Sequence, residues 1–438
     1  MKQLPKLFVS SLMTLSILPS VSMGADLLSL YQKAENYDAE TFAAKSAYLA
    51  ELEGENVAMA ALLPSLGASA NISHTNSNPL IQQDDDYTTR NFTVSLSQPL
   101  INFSNWYTVT AAEQNTLSAE TTYLAAQQDL ILNLASAYFG VLRTQENLRS
   151  AKSQEAAVKR QYEQAKEQFD VGLIAITDVH EAKASYDASQ TLRIRSEGEL
   201  TIARENLSRI TGEYEVELET LKSNFPIAMD ENASVEQWVE SAYQNNLAIK
   251  AAEYALNSAQ ADYKSNKSGH YPTLSLNADY RNNDFSNYSQ GNGEAEESNI
   301  SLTLDIPLYS GGATQASVRQ TRHLVERARQ QLTLAQRQAQ IETRTEYVNL
   351  KTNIQTVESL KQNIVSRQSA LEATREGYNV GTRNIVEVLD AERNYFTALK
   401  DYANARFDFV ESNLRIKRAA GTLSVKDIEA LNTWLVAE

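Results

Sequence analysis

Cysteine, histidine and close carboxylate pairs are the side chains that most often carry chemistry, and this sequence uses them sparingly. It has no cysteine and four histidines, at 74, 180, 270 and 323. Without thiols there is no disulfide framework, thiolate zinc site or cysteine nucleophile, and no two histidines stand at metal-ligand spacing. His180 lies within a helical turn of Asp178 and Glu181, but the set lacks a nucleophile and reads as a solvated helix face. Gly311-Gly312 has no lysine behind it, so it joins two elements instead of cradling a phosphate. The acidic pair worth singling out is Glu387 and Asp390, three residues apart and hence on one face of a helix that begins after Gly381. Such a pair is either an ordinary solvated helix start, stabilised by the dipole, or a deliberate concentration of charge. Asp178 and Glu181 at the start of an earlier helix show that acidity at this place is partly structural. Enzymatic activity, metals and cofactors are not expected.

What positions these residues follows from what is scarce. Only 8 prolines and 15 glycines punctuate 438 residues, and the stretches 100–225 and 308–438 contain no proline. Very long helices are predicted there. A hydrophobic content of 42% argues for an ordered fold despite a formal charge of −16. The same acidic excess excludes nucleic acid as a partner, because that needs clustered Lys and Arg. At the N-terminus Lys2 and Lys6 precede an apolar run, Leu7 to Leu18, and a small-residue stretch ending at Ala25. This pattern predicts a secretory leader over 1–25, cleaved after Gly24 or Ala25. No later segment is long and apolar enough for a transmembrane helix, so the exported chain is either soluble or inserted as a β-barrel.

The chain repeats itself. Pro64-Ser65-Leu66 returns as Pro272-Thr273-Leu274, and Val171-Gly172 returns as Val380-Gly381, followed by matches at Ile176/Ile385, Val179/Val388, Ala182/Ala391 and Tyr186/Tyr395. A nearly constant offset over so many landmarks predicts a tandem duplication: unit one over 26–212, a linker over 213–233, unit two over 234–421 and a C-terminal segment over 422–438. Within each unit two segments alternate with period two and read as strands, about 64–76 and 91–99, then about 272–282 and 298–308. Leu66, Ala68 and Ile72 face one way and Ser65, Ser69 and Asn71 the other, which suits a sheet with lipid outside and a watery lumen inside. The joining segments Gln83-Asp84-Asp85-Asp86 and Gly293-Glu294-Ala295-Glu296-Glu297 are too charged for lipid and are expected as external loops. Four strands cannot close a barrel, so several chains must; a dimer gives eight strands and a trimer twelve. Long helices are expected at about 104–168, 177–211, 314–376 and 385–419, with coiled-coil spacing at Ile131, Leu134, Tyr138 and Val141 and again at Leu350, Ile354 and Val357. Gly172 and Gly381 mark their turns, with Thr177 and Asn384 able to cap the returning helices.

Leu62-Leu63-Pro64-Ser65-Leu66, Ala135-Ser136-Ala137-Tyr138-Phe139, the run Val171 to Val179, Tyr378 to Arg383 and Val388-Leu389-Asp390-Ala391 together resemble the TolC family of outer membrane efflux ducts. The resemblance implies a mixed α/β membrane protein. Three copies form a twelve-stranded β-barrel that continues into a long α-helical coiled-coil barrel crossing the periplasm. It implies location in the Gram-negative outer membrane, contact with lipid, and docking through a periplasmic adaptor to an inner membrane efflux pump or ABC transporter, for export of toxic small molecules and of proteins. Threefold symmetry would bring Glu387 and Asp390 together as a ring of six carboxylates, the periplasmic aperture. Tyr378 and Arg383, with Thr177 and Asp178 as partners, match the positions that hold the tip closed. Gly172, Leu173, Gly381 and Thr382 match the adaptor-docking turns. A coiled-coil adhesin or a holdase chaperone could share the helices, but neither needs four lipid-type strands repeated at a fixed offset.

Overall fold

The computed structural model describes residues 25–77, 85–214, 217–229, 234–286 and 291–436; the expected leader, except Ala25, and the Gln83-Asp84 part of the first charged segment lie outside them. In chain order the elements are α1 (Leu27–Glu35), α2 (Ala39–Ala60), β1 (Ser65–Ser77), β2 (Asp85–Ile101), α3 (Phe103–Asp170), α4 (Ile176–Thr211), β3 (Thr220–Leu221), α5 (Val235–Asn245), α6 (Leu247–Lys267), β4 (Thr273–Ser286), β5 (Gly293–Asp305), α7 (Ala313–Asn379), α8 (Ile385–Ala419), α9 (Val425–Asn432) and β6 (Leu435–Val436). The two halves are built alike. α3 and α7 run 68 and 67 residues, about 100 Å each at ~1.5 Å per residue. Their returning partners α4 and α8 have 36 and 35 residues.

β1, β2, β4 and β5 form one antiparallel sheet in that order. Its register stacks the apolar residues into rows, such as Leu66, Leu96, Ala278 and Ile300, and the polar ones into rows behind them, such as Ser65, Ser97, Asn277 and Ser301. The apolar rows share one face, as the period of two requires, and towards the ends of the β1–β2 and β4–β5 hairpins the same face turns polar, at Arg90, Asn282, Asp284, Glu294 and Glu296. Pro99 brings no N–H to the ladder, and the register with β4 shifts between Pro99 and Ile101. At the hairpin ends the strands overrun their expected bounds, while β5 stops at Asp305, short of the expected 308. Asp85-Asp86 belong to β2 and Gly293 to Glu297 to β5, not to loops. The physical reason is that a backbone ladder tolerates charge wherever cross-strand partners receive it. His74 meets Asp86 at 2.9 Å, Arg90 meets Asp284 at 3.0 Å, and Asn282 donates to Glu294 at 2.7 Å.

Below the sheet, α2, α3, α6 and α7 lie side by side in that order, repeating the order of the strands they adjoin; farther down, α4, α3, α8 and α7 take over. α2 and α6 fall outside the expected helices, because their alanine-rich sequences carry only a thin apolar stripe. The main core sits where α3 and α8 cross the segments 217–229 and 422–436. Tyr138, Phe139 and Phe409 are fully buried there, each stabilising the fold by on the order of 2–3 kcal/mol. The Tyr138 hydroxyl donates to the Glu219 carbonyl at 2.7 Å, and burial pushes its pKa far above the usual phenol value, with the Glu219 and Asp26 charges adding to the shift. β3 pairs with β6, and Ala25 bridges Leu218, so three segments far apart in sequence, at Ala25, Leu218–Leu221 and Leu435–Val436, are tied at one level. The segments expected as lateral decoration thus pack Leu218, Phe225, Leu423, Ile428, Leu431 and Leu435 into the larger hydrophobic cluster of the described residues, most of which lies on α3 and α8.

Candidate functional site

The two turns at the far end of the helices share one geometry. α3 ends at Asp170, and Gly172 adopts φ +76°, so that its N–H reaches Phe169 O and Leu173 N–H reaches Gln168 O. α7 ends at Asn379, and Gly381, also at φ +76°, bonds Tyr378 O while Thr382 N–H bonds Gly377 O. Both are Schellman motifs, for which glycine is required because the left-handed conformation costs other residues roughly 1–2 kcal/mol. The turns hold apolar side chains out in solvent: Val171, Leu173 and Val380 are 71–74% exposed.

The returning helices start differently. Asn384 caps α8, its Oδ1 accepting Glu387 N–H at 2.9 Å while its Nδ2 donates to Glu387 Oε1 at 2.9 Å. Thr177 does not cap α4. The helix begins at Ile176 behind Ala175, which has no side-chain acceptor, and Thr177 is already helical, with its hydroxyl 3.5 Å from Asp178 Oδ1. A hydroxyl inside the first turn cannot reach the free N–H groups ahead of it.

At this tip Val158, Ala165, Ala182, Ile385, Val388 and Leu389 form a small separate core with Tyr162, Ile174, Tyr186 and Tyr378 packed around it. It joins the α3–α4 coiled coil to the α7–α8 one. The Tyr378 hydroxyl donates to Gln168 Oε1 at 2.8 Å, and burial first, then the nearby Asp178 charge, raises its pKa. Within one chain Arg383 binds neither Thr177 nor Asp178. It reaches one turn ahead to Glu387 Oε2 at 2.6 Å. Asp390 is paired with Arg393 at 3.1 Å. On the α8 surface Asp390 is exposed and Glu387 is half-buried. One strong interaction went unseen in the sequence: Glu392, fully buried on α8, holds Arg375 of α7 at 2.5 Å. Its signal is faint, since an Arg and a Glu 17 positions apart meet only because the turn folds one helix onto the other. Among the described residues no cluster of His, Asp and Glu is arranged to hold a metal ion.

Two blocks of the sequence, 30–213 and 238–422, match the outer membrane efflux protein family. The chain belongs to that family. This efflux channel is 36% identical to outer membrane protein TolC of Vibrio cholerae over 99% of both chains, and 34% identical to TolC of Escherichia coli over 97% of its own length and 87% of the relative's. At 24% identity over 92% of its length and 86% of the relative's, it is also similar to the alkaline protease secretion protein AprF of Pseudomonas aeruginosa. Its fold is that of the solved CusC channel, with a TM-score of 0.81 over 91% of this chain and 93% of that one at 18% identity. The efflux channel thus sits in the outer membrane, and its family and architecture are those of a conduit, not of an enzyme.

Proposed function

We propose that three copies close head to tail into one duct that carries toxic small molecules, and proteins, from the periplasmic end to the outside. The observation that supports this most directly is the pair of free sheet edges. β1 and β5 stand at opposite margins with 13 residues each and, among the described residues, no strand beyond them, and unpaired backbone in lipid costs several kcal/mol per group. Because the order is antiparallel throughout, β5 of one copy meets β1 of the next antiparallel, and three copies make twelve strands. The helices repeat the argument. On α7, Leu334, Ile341 and Val348 recur every seven residues and are 54–66% exposed, and on the opposite margin α2 exposes Phe42 and Leu49, also seven apart. These are unpartnered coiled-coil seams at the edges that would meet.

In this reading the tandem units descend from one duplicated unit and the segment 1–25 is a cleaved leader. Glu387 and Asp390 line the periplasmic aperture, and Tyr378, Arg383, Thr177 and Asp178 restrain it, with Arg383 exchanging Glu387 for Asp178 of the partner subunit. The exposed Val171, Leu173 and Val380 beside Gly172, Gly381 and Thr382 receive a periplasmic adaptor that bridges to an inner membrane efflux pump or ABC transporter. No enzymatic step is assigned. Cross-linked mass in mild detergent should give a trimer; monomers and dimers alone would remove the closed duct. Deletion should sensitise cells to detergents, dyes or antibiotics, whereas unchanged susceptibility with no secreted protein lost would argue against export.

A further inference from the structure

The acids of the proposed aperture do not stand alone. Glu387, Asp390 and Arg393 follow one another at steps of three along the start of α8, and Arg383 joins them from the turn ahead of the helix. Arg383 Nη1 lies 2.6 Å from Glu387 Oε2, and Arg393 Nη2 lies 3.1 Å from Asp390 Oδ1. Two carboxylates therefore share the stripe with two guanidiniums. Glu392 adds no net charge, being buried against Arg375, and Asp178 and Glu181 at the start of α4 are a background that stays the same in every variant compared below. Each exposed pair is weak as a bond. Ion selection, however, depends on the charge within about a Debye length, roughly 8–10 Å, of the path. A rotamer change that breaks the Arg393–Asp390 contact still leaves the guanidinium inside that radius.

We propose that Arg393 is a selectivity-determining residue of the periplasmic aperture, compensating the Glu387–Asp390 ring so that the mouth discriminates weakly between cations and anions. This rests on the reading of Glu387 and Asp390 as the aperture. A ring of six bare carboxylates would favour cationic cargo and hinder anionic cargo at the narrowest point; a compensated ring admits both. Arg383 contributes to the same balance, but it also sits in the turn that restrains the tip, so Arg393 is the cleaner probe.

The test is the reversal potential of single channels in planar bilayers under a potassium chloride gradient, with trimer yield measured in parallel. Arg393→Gln should raise the potassium-to-chloride permeability ratio by roughly threefold or more, while Arg393→Lys should keep the wild-type ratio. Glu387→Gln with Asp390→Asn should lower it. If the acid double variant shifts the ratio and Arg393→Gln does not, the aperture stands and the role of Arg393 is overturned. If neither shifts it, the aperture itself is misplaced and the proposal goes with it. The sequence has no cysteine, so Arg393→Cys gives a unique thiol should Arg393→Gln fail to assemble. A cationic thiol reagent should then restore the wild-type ratio and an anionic one should raise it further; equal ratios with both would reject the proposal.

Discussion

Tyr378 gives its hydroxyl proton to Gln168, and Arg383 gives its guanidinium to Glu387, so within one chain the restraints on the tip run through neighbours in the fold. Tyr378→Phe removes the first bond, and Arg383→Glu sets a new carboxylate against Glu387. Together they should shift the tip towards opening by roughly 1–3 kcal/mol, read as higher single-channel conductance; wild-type conductance would place the restraint on other residues. Tyr378, Arg383, Glu387 and Asp390 were singled out through the family resemblance, and all four stand around the Gly381 turn, from three positions before it to nine after. Gln168 was not, since it stands 210 positions from Tyr378 and has no pattern to announce it. Thr177 misled as a cap because the helix starts one residue before it, behind an alanine.

At the scale of helices, the α7–α8 hairpin is stapled by Arg375 and Glu392. Arg375→Leu would leave a buried carboxylate without its counter-charge and should destabilise the hairpin by about 3 kcal/mol, while Arg375→Leu with Glu392→Leu should recover most of the loss. Proteolysis of the tip measures both. α1 offers a pH-dependent contact. Asp26 caps it through Ser29 N–H at 2.8 Å and accepts from Asn432 at 2.7 Å. Burial alone would raise the Asp26 carboxyl, but the bonds from Ser29 and Asn432 outweigh it and leave its pKa below the ordinary 3.8. A depressed carboxylate contributes stability above its unfolded value and loses it as pH falls through its folded value. Asp26→Ala should therefore cost about 1 kcal/mol locally at neutral pH, seen as faster amide exchange in α1 and α9, and the difference from wild type should vanish below that window. The four long elements were readable from the absence of prolines and the coiled-coil spacing. α2 and α6 were not, because an alanine-rich helix that packs on two sides shows little periodic contrast.

At the scale of the whole molecule, the two faces of the sheet should respond oppositely to charge. Ile300 lies in an apolar row and Ser301 in the polar row beside it. Ile300→Arg should cost assembly about 2–4 kcal/mol in the bilayer and lower trimer yield, whereas Ser301→Arg should assemble normally and alter conductance. Equal loss for both would mean that neither face meets lipid. Sequence by itself determined the likeness of the two halves, the places of the four strands and their side-chain alternation, and the positions of both turns. All of these are local: side-chain alternation, breaker spacing and glycine conformation are written within a few residues of where they act. Tertiary structure alone decided the strand order β1, β2, β4, β5, the continuation of the ladder into charged segments, the burial of Glu392 against Arg375, and the convergence of Ala25, Leu218 and Val436 on the middle of the helices. Those depend on which distant surfaces meet. A chain of helices about 100 Å long brings together residues hundreds of positions apart, and the energy of such contacts is shared between partners that neither local sequence identifies.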